Sequence, residues 1–162
     1  MNKLKTVFVD RDGVINQERS DYVKSILELE IYPNVAKNIK LVKAAGFLVV
    51  VITNQSAVNR GIVTPEMINQ IHNSIQNHLK KYGTFLDGFY YCPHTPNENC
   101  NCRKPKSGLL EKAILELNID LNSSWMIGDR DSDIEAANSI GCKAIKISDV
   151  FSFDNAIGKI LD

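Results

Sequence analysis

The sequence predicts an α/β protein of three layers, a parallel β-sheet with helices on both faces, and three observations lead to it. Short apolar runs alternate along the chain with stretches whose apolar residues recur at helical spacing. The strongest runs, Thr6-Val7-Phe8-Val9 and Phe47-Leu48-Val49-Val50-Val51-Ile52, are continuously apolar and rich in β-branched residues, as strands buried on both faces are. Several runs end directly in polar segments, and in open parallel sheets ligands bind beyond the carboxyl ends of the strands.

Taken in order, the first strand delivers Asp10 to its carboxyl end, and a loop over 16–33 follows. Val35, Ile39 and Val42 recur at helical spacing over 33–45, with Pro33 suited to a helix start and Gly46 to its stop. The second strand runs into Thr53-Asn54-Gln55-Ser56. Thr64-Pro65-Glu66 opens the next helix, with Met67, Ile68, Ile71, Ile75 and Leu79 on one face. Phe89-Tyr90-Tyr91 reads as a third strand leading into a cysteine-rich loop. Residues 107–117 are expected to be helical, Trp125-Met126-Ile127 a strand, 132–140 a helix, and Ala144-Ile145-Lys146-Ile147 the last strand. Each parallel connection needs a crossover, and a helix supplies it. This order gathers Asp10 and Asp12, Thr53, the cysteine loop, and Gly128-Asp129 at one edge of the sheet.

At 162 residues, 44% of them hydrophobic and 23% charged, the chain fits one domain spanning 1–162. The intervals 12–53 and 53–104 are filled by loop, helix and strand, so no cap domain is expected. Lys+Arg and Asp+Glu number 19 each, leaving no overall field to attract nucleic acid or an anionic membrane. The N-terminal apolar run is too short for a signal peptide or membrane span. A cytoplasmic monomer acting on a small molecule is expected.

Hydrolysis of a phosphate monoester needs an in-line nucleophile, cancellation of charge on the phosphoryl oxygens, and a proton for the departing alkoxide. Asp10 can serve as the nucleophile, forming an aspartyl phosphate that splits one hard displacement into two easier ones. Asp12, two residues on, can lie on the same side as Asp10 and act as general acid, then as general base on water. Carboxylates facing a dianionic ester require a cation, and hard oxygen ligands favour Mg²⁺. Asp129 offers a third carboxylate from another strand end. Lys104 and Arg103 bring local positive charge, and the Thr53 hydroxyl can complete the phosphoryl cradle.

Asp10-Arg11-Asp12-Gly13-Val14-Ile15-Asn16, Thr53-Asn54-Gln55-Ser56, Arg103-Lys104-Pro105 and Gly128-Asp129-Arg130-Asp131-Ser132-Asp133 resemble the four motifs of the haloacid dehalogenase superfamily, in order. The likeness runs from Val7 to Ile147 and is greatest to the zinc-containing capless branch of heptose bisphosphate and histidinol-phosphate phosphatases. The resemblance implies a Rossmann-like haloacid dehalogenase fold. It also implies that Asp10 is the nucleophile and Asp12 the acid/base, with Asp10, the Asp12 carbonyl and Asp129 holding Mg²⁺. By the same likeness Thr53 and Lys104 stabilise the phosphoryl group, while Asn54, Gln55, Ser56, Arg103 and Arg130 bind substrate. Arg130 stands where the heptose enzymes often carry lysine.

Cys92, His94, Cys100 and Cys102 place three thiols and an imidazole within eleven residues, a complete tetrahedral set for Zn²⁺. The one-residue spacing is tighter than in common zinc fingers, and reduced thiols without metal are the alternative. The resemblance implies a structural zinc in loop 92–102, holding Arg103 and Lys104 toward the phosphate. Cys142 reads as a buried structural cysteine. His72 and His78 fall on a helix away from every motif and receive no role. Asp133 has three open readings: a brace for Lys104, a partner of metal-bound water, or a helix cap. Asp131 reads as a surface residue.

With no cap, selectivity should rest on the 17–22 loop, residues 56–61 and the zinc loop. Asp21-Tyr22-Val23, Thr53-Asn54-Gln55-Ser56 with Arg60-Gly61, and Phe89-Tyr90-Tyr91-Cys92-Pro93-His94 resemble the heptose bisphosphate enzymes. The short zinc loop and Gly128-Asp129-Arg130 resemble histidinol-phosphate phosphatases. Heptose 1,7-bisphosphate is the favoured substrate. A nucleic-acid 3′-phosphatase would need positive charge that the composition lacks, and a non-enzymatic zinc module would have no use for the intact carboxylates and lysine.

Overall fold

A computed structural model describes residues 1–162. Strand β1 (Thr6–Val9) is followed by α1 (Val35–Ala44), β2 (Leu48–Asn54), α2 (Pro65–Lys80), β3 (Gly88–Cys92), α3 (Gly108–Leu117), β4 (Trp125–Gly128), α4 (Asp131–Ser139), β5 (Lys143–Lys146) and α5 (Phe153–Leu161). The predicted order is reproduced. Residues 153–161 form a final helix that the sequence reading does not anticipate: Ser152 caps it by accepting from the Asn155 N–H, and Phe153, Ala156 and Ile157 bury its inner face.

All five strands are parallel, in the order β3-β2-β1-β4-β5. Their side chains alternate between two faces. Val7, Val9, Val49 and Val51 point into a core closed by α1, α2 and α5, whereas Phe8, Val50, Ile52 and Met126 pack under α3 and α4. This division follows from the order: α1 and α2 carry the chain outward on one side of β1, and right-handed crossovers place α3 and α4 on the opposite face. Cys142 is buried in the second core.

Because the chain leaves β1 in one direction and β4 in the other, a crevice opens at the carboxyl ends of these neighbouring strands. The Asp10 N–H donates to the Ile127 carbonyl at 3.1 Å, tying the two strand ends together there. No domain is inserted between β1 and β2 or between β2 and β3, and the crevice stays open. No helix is long and apolar enough to cross a membrane. Phe8 is fully buried, so Phe8→Ala should cost about 3–5 kcal/mol of stability through lost transfer energy and the cavity left behind, measurable by urea unfolding.

Candidate active site

The centre of the crevice is the Lys104 ammonium. It is 3% exposed, and its Nζ lies 2.6 Å from Asp133 Oδ1, 2.7 Å from the Ile52 carbonyl and 3.1 Å from Asp10 Oδ1. Three acceptors match its three protons. Burial would lower the lysine pKa, but Asp10 and Asp133 outweigh it and hold the group charged above its ordinary value. Asn54 fixes the lysine's backbone: its amide donates to the Lys104 carbonyl at 3.1 Å and its oxygen accepts the Lys104 N–H at 3.0 Å. The end of β2 thereby aims a residue fifty positions away in sequence.

Asp10 follows β1 and accepts the Arg11 N–H at 2.8 Å. Burial pushes its carboxyl up to about 7, with Lys104 opposing and Asp133 and Asp12 adding to the rise. Asp12 is held differently. Its Oδ1 accepts from Arg11 Nη2 at 3.0 Å and Asn16 Nδ2 at 2.9 Å, and its Oδ2 from Gln55 Nε2 at 2.8 Å. Burial would raise this carboxyl, but the Arg11 charge and these donors win and hold it below the ordinary carboxylate range. Neighbouring carboxylates are thus driven to opposite sides of their usual pKa.

Oxygens of Asp10, Asp129 and Asp133 lie within 4.8 Å of one another. Asp129 Oδ1 is buried without a hydrogen-bond partner, and burial, with Asp133 beside it, raises the Asp129 pKa. An orphaned carboxylate oxygen facing two more carboxylates is a donor set that fits a hard divalent cation such as Mg²⁺. Two glycines make the room. A Cβ on Gly13, whose φ of +88° already favours glycine, would stand 2.2 Å from Asp129 Oδ2, and one on Gly128 would stand 2.2 Å from Asp133 Oδ2. Asp133 takes two of its open readings at once, bracing Lys104 and accepting the Arg130 N–H at 3.1 Å as a cap of α4. Asp131 is at the surface, paired with Lys146.

Around this centre lies a cleft of about 600 Å³. Arg19, Arg60, Arg103 and Arg130 line it beside the buried Arg11; Glu18, Arg19, Tyr22, Ser56, Arg60 and Pro96 come from the three rim segments named from the sequence, whereas Arg103 follows the zinc loop and Arg130 follows β4. Arg130 pairs with Glu18 across the mouth. Asn54 and Gln55 also line the cleft, but their amides are committed to Lys104, Asp12 and Thr53. Thr53 is 1% exposed and is absent from the lining; its hydroxyl oxygen accepts from Gln55 Nε2 at 2.9 Å. Ser56 Oγ accepts from Arg60 Nε.

Cys92, His94, Cys100 and Cys102 converge beside the cleft. Their ligating atoms lie within 4.8 Å of one another, with Cys92 and Cys102 Sγ at 3.0 Å and His94 Nδ1 at 3.2 Å from each. All four cysteines of the chain are free thiols, and corners of a zinc tetrahedron stand about 3.8 Å apart, so one ion fits among these atoms with modest spreading. The Arg103 N–H reaches Cys100 Sγ and its guanidinium reaches the His94 carbonyl, so the loop is continuous with the lysine segment.

One sequence expectation is corrected. His72 does not lie away from the motifs: it is 6% exposed, its Nε2 is 3.4 Å from Arg11 Nη1, and its ring stacks on Phe89 at 4.4 Å. Its position in the stripe of Ile68, Ile75 and Leu79 is the signal that could have found it, since a histidine at that spacing faces the core. Arg11, at 1% exposure, and Asn16, at 0%, are further residues of the site, to which the sequence reading assigns no separate role.

Comparison with known proteins identifies the kind of molecule in which such a site is found. A family model described as HAD-hydrolase-like matches residues 101–149. The D-glycero-beta-D-manno-heptose-1,7-bisphosphate 7-phosphatase of Neisseria meningitidis serogroup A is 36% identical over 140 residues, 86% of this chain and 75% of that protein. The enzyme of the same name from Helicobacter pylori strain 26695 is 42% identical over 137 residues, 84% of this chain and 79% of that protein. The crystal structure of D,D-heptose 1,7-bisphosphate phosphatase from B. bronchiseptica, complexed with magnesium and phosphate, aligns with a TM-score of 0.83 at 34% identity, covering 87% of this chain and 79% of that one. The chain belongs to the haloacid dehalogenase-like hydrolases, as a phosphatase of that family.

Burial and the Arg11 charge push the His72 pKa down from 6.5 to about 3, so the folded protein keeps the ring neutral while the unfolded chain takes up a proton near 6.5. Stability from this source is present above that pH and is lost as pH falls toward 3. Between about pH 7 and pH 5, urea unfolding should show His72→Gln losing about 2 kcal/mol less stability than wild type. Equal losses would place the proton uptake elsewhere.

Proposed function

We propose that the protein is a magnesium-dependent phosphatase of D-glycero-D-manno-heptose 1,7-bisphosphate, working through an aspartyl phosphate on Asp10, with residues 1–162 acting as one domain. The observation that carries this reading is the contact of the Asp10 carboxyl with a buried lysine, whose charge favours the ionised nucleophile, beside an orphaned Asp129 oxygen and a second carboxyl anchored separately on Arg11, Asn16 and Gln55.

An Asp10 carboxylate oxygen attacks phosphorus while the bond to the ester oxygen breaks; Asp12, ionised in the free site, takes up a proton as the phosphoryl anion binds beside it and gives that proton to the ester oxygen. Asp12 then takes a proton from water, which attacks the aspartyl phosphate and releases inorganic phosphate. Lys104 remains beside Asp10 throughout, placed to neutralise the phosphoryl oxygens. Asp10, Asp129 and the Asp12 carbonyl would hold Mg²⁺, which supplies charge neutralisation when bound. Asp133 keeps the lysine in position, and Asn54 and Gln55 serve the reaction by fixing Lys104 and Asp12.

Of the four arginines at the open cleft, Arg19 and Arg130 are paired with carboxylates, while Arg60 and Arg103 have no carboxylate partner and suit a substrate with a second phosphate. Histidinol phosphate brings an ammonium instead, which this wall would repel. The relatives' substrate points the same way. Phosphate release should therefore be far faster from heptose 1,7-bisphosphate than from histidinol phosphate, should cease on Mg²⁺ removal, and should fall by several orders of magnitude in Asp10→Asn; the reverse substrate ranking would overturn the assignment.

For the cysteine loop the reading is a structural zinc, since a closed four-ligand site leaves no position for water. Elemental analysis should find one zinc per chain. Cys102→Ser should lose it together with activity, because the loop leads directly into Arg103 and Lys104.

A further inference from the structure

Arg11 is a cation with almost no solvent. Its Nη2 donates to Asp12, its Nε has no partner, and Nη1 has one recorded neighbour, His72 Nε2. Arginine does not give up its proton in a protein, so Nη1 can only donate. His72 Nε2 must accept, which makes the ring neutral with its proton on Nδ1. The ring is itself immobilised, stacked on Phe89 with the planes 14° apart and meeting Tyr91 edge-on at 6.1 Å. It lines no part of the cleft and cannot touch substrate. The ordered chain is therefore β3 aromatics, His72 on α2, Arg11 and Asp12.

We infer that His72 is a positioning residue for the phosphatase reaction: acting through Arg11, it fixes the Asp12 carboxyl in the orientation that protonates the leaving oxygen. The inference rests on Asp12 as the acid/base. Asn16 and Gln55 anchor the same carboxyl directly through their amide nitrogens, but neither makes a hydrogen bond to the guanidinium. Without an acceptor at position 72, one terminal nitrogen of a buried cation is left unpaired, and the guanidinium must shift to find another partner.

The test compares kcat/KM for 4-nitrophenyl phosphate, whose phenolate departs without a proton, with that for an alkyl sugar phosphate, whose alkoxide needs one. His72→Phe keeps a ring against Phe89 and removes the acceptor, while His72→Gln keeps an acceptor near the Nε2 position. The phenylalanine variant should lose about tenfold more on the alkyl ester than on the aryl ester, a fraction of what a general acid contributes, and the glutamine variant should recover most of that difference. Equal losses on both esters, no loss, or failure of glutamine to recover would each reduce His72 to packing. If His72→Phe does not fold, His72→Leu carries the same comparison. Asp12→Asn separates the two readings. A selective alkyl loss there with none in the His72 variants sinks only this inference, whereas no selective loss in Asp12→Asn removes Asp12 as the acid.

Discussion

The ammonium of Lys104, enclosed between Asp10 and Asp133, is the contact on which the rest of the site depends. A lysine this deeply buried would ordinarily shed its proton, and two carboxylates this close would ordinarily repel. Together they satisfy each other, provided every partner stays in place. The surroundings supply that condition. Asn54 grips the lysine's peptide, the Ile52 carbonyl takes its third proton, Asp133 is tethered to the Arg130 N–H, and Gly128 leaves the space that Asp133 fills. Removing one partner would strand an uncompensated charge rather than merely weaken a bond.

Two carboxylates in one short turn acquire different characters from their environments. Asp10 sits beside other carboxylates in a buried crevice and is drawn toward its neutral form; Asp12 collects an arginine and two amides and is held ionised. The divergence is a property of the turn after β1, where the Arg11 carbonyl accepts the N–H groups of Val14, Ile15 and Asn16 and folds the chain back on itself. That fold-back brings the Asn16 amide to Asp12, and Gly13 opens the space for Asp129. Local backbone geometry, tertiary charge and proposed function meet in a few residues.

Much of this was legible in the sequence because it is periodic or contiguous. Continuous apolar runs located the strands, helical spacing the crossovers, and the sheet rule the edge where Asp10, Lys104 and Asp129 meet. What escaped depends on side chains finding partners far along the chain. The amides of Asn54 and Gln55 look like substrate contacts until Lys104 and Asp12 are found against them, fifty and forty-three residues away. His72 looks idle until Arg11 is seen to be buried. Helix α5 lies beyond the last strand and carries no site motif, and its signals are local: Ser152 caps it, and Phe153 and Ile157 bury its face.

The open crevice has a kinetic meaning. With no cap to lift, ester can enter and inorganic phosphate can leave by diffusion alone, so no domain opening need limit each cycle. Water has the same open access, so on the proposed aspartyl-phosphate route the second half-reaction would not wait for its nucleophile. The cost is that enclosure cannot reject wrong esters. On the proposed reading, discrimination falls to the arginines that line the cleft, an arrangement that should admit anionic ligands quickly and lose grip as ionic strength rises.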